Sequence, residues 1–211
     1  LDEQSHRLSG NVTVKYTNNS PMPLSYIWFQ LDQNLYKANS RGQARMPADS
    51  RSRYGDAHNA FDGGYHFESV KVSNESNTAD YVITDTRMQI RLKNSIAPGG
   101  GTCTVQFKYD FILPEYGSDR CGILKTTKGE IFSVAQWYPR MCVYDDVRGW
   151  NTDPYLGAGE FYLEYGNFDV TISAPRNHIV VAGGDLKNPN EVLTLTQKDR
   201  LQKARNSEST V

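Results

Sequence analysis

Four histidines, three cysteines and one loop of clustered carboxylates are the side chains of this 211-residue chain best equipped for chemistry. His6, His58, His66 and His178 include no i,i+4 pair, and Cys121 and Cys142 stand far apart with no companion beside either. Zinc takes three or four N, S or O ligands from geometrically compatible elements, so no metal site is expected within the chain. The sequence holds neither the zinc-helix motif H-E-x-x-H nor the G-x-S-x-G elbow of a serine hydrolase. Asp145, Asp146, Asp153, Glu160 and Glu164 could together offer calcium the several oxygens it favours. Their spacing follows no known loop motif, and solvated loop carboxylates are the simpler reading. Trp137, Trp150, Tyr155, Phe161, Tyr162 and Tyr165 could stack on sugar rings, as in carbohydrate-binding sandwiches. Rings at alternating strand positions more often bury themselves between sheets. Spacing alone therefore assigns no catalytic residue.

The elements that must position these residues read as strands. Val12, Val14 and Tyr16 fall on one face of a first strand, and a turn follows at NNSPMP, where two prolines remove ladder donors. Leu24 to Leu35 is apolar on both faces and predicts a central strand. Val70 and Val72, then Met88, Ile90 and Leu92, alternate with a period of two. After the PGGG turn at Pro98 to Gly101 comes the strongest strand signal. Cys103, Val105, Phe107, Tyr109, Phe111 and Leu113 share one face, while Thr102, Thr104, Gln106 and Lys108 share the other. Further strands are predicted over Ile131 to Trp137, Phe161 to Tyr165, Phe168 to Ala174 and His178 to Ala182, with one more at Val192, Leu193 and Leu195. Helical periodicity is confined to Gln197 to Asn206. The fold expected is all-β, a large sandwich or saddle-like stack of sheets with at most one or two short helices.

Composition narrows the partners. Lys and Arg total 23 and Asp and Glu 24, a net charge of -1. That balance gives no reason to expect nucleic acid or an anionic membrane. No apolar run approaches the ~20 residues that span a bilayer, and no signal peptide opens the chain. Because it begins at Leu1, it reads as a mature or trimmed fragment. Three cysteines do not make a disulfide framework. The sequons at Asn11, Asn18 and Asn74 read as by-products of polar turns unless the source is eukaryotic. One connection stands out: Asn39 to Tyr65 is polar, aperiodic and carries Arg41, Arg45, Arg51 and Arg53. Loops of that length are uncommon inside a domain. It is expected to be the least ordered internal segment, or to be ordered only at its ends.

The stretch from Gln136 to Ala174 packs aromatics, glycine turns and carboxylates into one connection. AQWYPRMCVYDD, then GW, then YLGAGEFYLEYGNFDVTISAP and VVAGGDL resemble the N-terminal domain of bacterial zinc aminopeptidases of the aminopeptidase N family. The opening segment through LDQNLY, the strand KYDFILP and PRNHIVVAGGDL extend the resemblance over most of the chain. It implies a single non-catalytic β domain over residues 1–211, truncated at its C-terminal end. The zinc would then belong to a catalytic domain of the same polypeptide, and this chain would carry no cofactor. It further implies that Gln136, after F-S-V-A, matches the strand-end Gln or Glu that the family presents to the substrate's free amino terminus. An amide oxygen can accept hydrogen bonds from an ammonium. Many relatives carry a second polar residue two positions earlier, where this chain has Val134. The implied partners are the catalytic domain and the N-terminus of a peptide. The expected compartment is periplasmic or otherwise extracytoplasmic. The alternative reading is a self-standing carbohydrate- or protein-binding β-sandwich that uses the aromatic loop. An open sheet edge or an exposed apolar patch is expected where further strands would dock, with Gln136 at its rim.

Overall fold

The computed structural model describes residues 1–45, 51–52, 55–56, 63–73, 78–115, 120–157 and 162–210. They fall into two units, Leu1–Pro175 and Arg176–Val211. In chain order the first unit holds β1 (Arg7–Asn18), β2 (Leu24–Gln30), a 3-10 turn (Asp32–Tyr36), α1 (Arg41–Arg45), β3 (Arg51–Ser52) and β4 (Gly55–Asp56). Then come β5 (His66–Val72), β6 (Asp80–Thr84), β7 (Arg87–Ile96), β8 (Gly101–Ile112), β9 (Gly122–Thr126) and β10 (Gly129–Ser133), followed by β11 (Arg140–Met141), β12 (Tyr144–Asp145) and β13 (Gly149–Trp150). The fold class is all-β, as the period-two patterning predicts.

Two antiparallel sheets form the body, one in the order β1-β8-β5 and one in the order β11-β2-β7-β6. Their shared core follows from the alternation. On β8, Val105, Phe107, Tyr109 and Phe111 are buried, and β5 adds Val70 and Val72. The second sheet supplies Ile27, Phe29, Met88 and Ile90, each fully buried. The sheets meet where Phe29 of β2 lies edge-on to Phe107 of β8, ring centres 4.8 Å apart. On β1, Val12, Val14 and Tyr16 lie opposite Phe107, Val105 and Cys103. Burying such side chains contributes about 1.5–3 kcal/mol each, which is why the register is well specified: a one-residue slip would turn this face outward.

Asn18, at the end of β1, ties the turns at this end of the sandwich together. It is fully buried. Its Nδ2 donates to the carbonyls of Met22, Ile96 and Ala97 at 2.8, 3.2 and 3.1 Å. Gly100, at φ +114°, donates its N–H back to the Asn18 carbonyl at 2.7 Å. That backbone conformation favours glycine.

Four expectations need correction. The strand expected over Ile131 to Trp137 is β10, which ends at Ser133, so Gln136 lies three residues beyond a strand end. The strand beginning at Leu24 ends at Gln30, and Asp32, Gln33 and Asn34 turn into a buried 3-10 segment. Three consecutive polar side chains need partners from several directions, which a turn provides and a ladder does not. No strand forms over residues 162–165, 168–174 or 178–182. Phe168, Val170 and Ile172 keep their alternation but are 64%, 52% and 51% exposed. A strand needs a neighbour along its length to satisfy its backbone, and among the described residues no strand pairs with them, the Ser173 carbonyl accepting only from the Leu1 amino terminus at 2.9 Å. Finally, Val192 closes α2 (Pro189–Val192) and Leu195 opens α3 (Leu195–Arg205), so no strand forms there. Pro189 suits a first helical turn. Thr194 and Gln197 make a reciprocal capping box at the start of α3. Phe161, Glu160, His58, Asn74 and most of 46–62, the middle of the segment Asn39 to Tyr65 expected to be of low order, lie outside the described residues.

Candidate functional site

The buried 3-10 turn is the hub from which the Gln136 region is built. Asp32, Gln33 and Asn34 are each 1% exposed, and each side chain reaches a different segment. Asp32 Oδ2 accepts from Arg140 Nε at 2.6 Å and also meets Arg140 Nη2. Arg140 lies on β11, which pairs with β2 so that Arg140 stands opposite Gln30. Gln33 Nε2 donates to the carbonyl of Ala135 at 2.9 Å and to that of Gln136 at 3.3 Å. It also approaches Cys121 Sγ at 3.8 Å. Asn34 Nδ2 donates to the Asp85 carbonyl at 3.0 Å, and its Oδ1 accepts from the Tyr65 N–H at 2.9 Å. The Tyr65 hydroxyl returns to the loop and donates to the Gln136 carbonyl at 2.9 Å.

Gln136 itself sits in the left-handed region, φ +53°. For a non-glycine residue this conformation is uncommon and costly. Its carbonyl receives two donors, from Gln33 and Tyr65, both buried. The residue is half-buried, with its Nε2 buried and without an acceptor among the described residues. Gln33 Oε1 and Asp32 Oδ1 are likewise buried without donors. The Gln136 side chain is expected at an open rim and reaching solvent, whereas its Nε2 is buried. The neighbouring rings lead outward. Trp137 packs edge-on to Tyr138 at 4.8 Å, and Tyr138 meets the exposed Phe168 at 6.0 Å. The apolar stretch carrying Phe168, Val170 and Ile172 therefore adjoins the Gln136 segment.

Burial governs the titratable groups here. It raises the Asp32 carboxyl, against the opposing pull of Arg140. The Tyr65 hydroxyl is raised well above its ordinary value, chiefly by burial. Burial lifts the Cys121 thiol from 9.0 to about 11 and the Cys142 thiol from 9.0 to about 12. Nucleophilic chemistry needs the thiolate, so neither thiol is poised for it. All three cysteines remain thiols.

The other candidates scatter. Trp137 and Trp150 are half-buried and pack on the core, Trp150 edge-on to Tyr144 at 5.1 Å. Tyr162 and Tyr165 are exposed. Asp145 is committed to its own turn. Its carboxylate accepts from the N–H groups of Arg148 and Val147 at 2.8 and 3.0 Å and from Asn151 Nδ2 at 2.7 Å. These bonds hold its carboxyl below the usual range, that from Arg148 most of all. Among the described residues no group of three His, Cys, Asp or Glu could hold a metal ion, and no helix is long and apolar enough to cross a membrane. His66 Nδ1 meets Asp110 Oδ2 at 3.0 Å, and Arg7 pairs with the same carboxylate. These three residues edge an open depression of about 530 Å³ that Tyr65 also lines and Gln136 does not.

Spacing did not reveal Asp32, Gln33, Asn34 or Tyr65. The available signal was a polar tripeptide interrupting an apolar run, a local conflict that a buried strand could not accommodate. Compared with family models, curated proteins and solved structures, the chain finds no match.

Proposed function

We propose that this chain is the N-terminal β domain of a zinc aminopeptidase, inert alone, which covers the active-site cleft and helps bind the peptide's free amino terminus. The sequence resemblance suggests the family. The observation that carries the reading is the backbone of Gln136, at φ +53° under two buried donors. Unfavourable conformations of this kind cluster where a side chain must be presented in one direction. The exposed Phe168 beside Tyr138 gives a second support, an apolar stretch adjoining the same loop. Large exposed apolar patches mark interaction surfaces, and the proposed partner is the catalytic domain of the same polypeptide. Zinc chemistry is assigned to that domain, as the sequence resemblance implies.

The test is hydrolysis of amino-acid arylamides. The pure chain should release no arylamine, with or without added zinc, while the polypeptide that joins it to its catalytic domain should act on unblocked and not on acetylated substrates. Zinc-dependent turnover by the pure chain would sink the reading.

A further inference from the structure

We infer that Gln33 and Tyr65 are positioning residues, which hold the Gln136 peptide in its left-handed conformation and so set the direction of its side chain. The inference rests on the proposed role of Gln136 in binding a peptide amino terminus.

The geometry is a three-point clamp. Gln33 is fixed at the start of the buried 3-10 turn, and its single amide nitrogen spans two successive carbonyls, those of Ala135 and Gln136. Tyr65 approaches the Gln136 carbonyl independently. Its ring is held by Tyr109, Phe111 and Phe67 at 5.2, 5.5 and 5.5 Å. Its own N–H is held by Asn34, the next residue after Gln33. One turn thus anchors both donors. A residue with a Cβ pays for φ near +53° unless its surroundings over-determine it, and two buried donors on one carbonyl supply that constraint. Neither donor reaches the Gln136 side chain, so both act on it through the backbone.

The consequence concerns presentation and not folding alone. Tyr65→Phe removes one hydroxyl and keeps the ring packing, so the fold should survive. Gln33→Met keeps the length and removes both donor and acceptor. In either variant the Gln136 backbone should relax toward φ below zero, and its side chain should lose its fixed direction.

The experiment is NMR on the isotope-labelled chain, with the H–N–Hα coupling and carbon shifts of Gln136 read in wild type and both variants. Each is then titrated with Leu-Gly amide and with its N-acetyl counterpart. Wild type should show the left-handed coupling and a shift of the Gln136 side-chain amide with the unblocked peptide only. Both variants should lose that coupling and bind the unblocked peptide about fivefold more weakly, with the remaining spectrum unchanged. If coupling and peptide response are the same in all three proteins, the clamp is overturned. If blocked and unblocked peptides act alike on wild type, the amino-terminus reading fails, while a coupling lost in the variants still upholds the clamp.

Discussion

Asp32 and Arg140 form a buried ion pair, Nε to Oδ2 at 2.6 Å, that joins the turn after β2 to the strand after the Gln136 loop. With Asp32 1% and Arg140 8% exposed, each charge depends on the other. Removing one partner leaves an uncompensated buried charge, at a cost of about 3–5 kcal/mol. Asp32→Ala and Arg140→Ala should each destabilise by that order in urea unfolding. The double replacement Asp32→Leu with Arg140→Met should recover most of the loss. Additive losses in the double variant would show that the two side chains do not act as a pair.

Asn18 should tolerate Asp worse than Ala. Its Nδ2 donates to three carbonyls, and a carboxylate there would face the same oxygens with no proton to give. Asn18→Ala is expected to cost about 1–3 kcal/mol, with Asn18→Asp costing more at neutral pH. Equal midpoints in thermal unfolding would argue against the donor role.

How much of this was legible depends on where the partners lie. The strand β8 was readable because its alternation is unbroken and its neighbours are in the same chain. Phe168, Val170 and Ile172 have the same pattern, yet pairing is a property of two segments, and one segment's periodicity cannot supply the other. The helix α3 begins two residues before Gln197, where periodicity starts, because the Thr194 and Gln197 capping box sets its first turn. The Gln136 clamp was not readable from spacing, since its donors lie 103 and 71 positions away.

Alkaline pH should weaken the fold. Burial raises Cys121 from 9.0 to about 11, Cys142 from 9.0 to about 12 and Tyr16 from 10.0 to about 12. Between those limits the folded chain holds protons that the unfolded chain has released, so stability falls as pH rises. Urea midpoints measured from pH 8 upward should stay level at first, then decline from near pH 9. Cys142→Ala should shallow that decline. A midpoint that climbs with pH over this range would contradict the burial of these groups.

The exposed apolar stretch should matter for association more than for stability. Phe168→Ser with Ile172→Ser alters side chains that are 64% and 51% exposed. The change in unfolding free energy should stay within about 0.5 kcal/mol per site. Binding of a hydrophobic surface dye should fall. A large loss of stability would mean that these residues belong to the core.

The most direct test of the central claim is kcat/KM for unblocked peptides, measured on the aminopeptidase proposed to carry this domain, with Gln136→Ala against wild type. If Gln136 receives the substrate ammonium, the loss of one charge-assisted hydrogen bond should lower kcat/KM by about 1–3 kcal/mol, roughly 5- to 150-fold. The stability of the domain should barely change, since among the described residues the Gln136 side-chain nitrogen has no hydrogen-bond partner. An unchanged kcat/KM, with the protein correctly folded, would contradict the assignment.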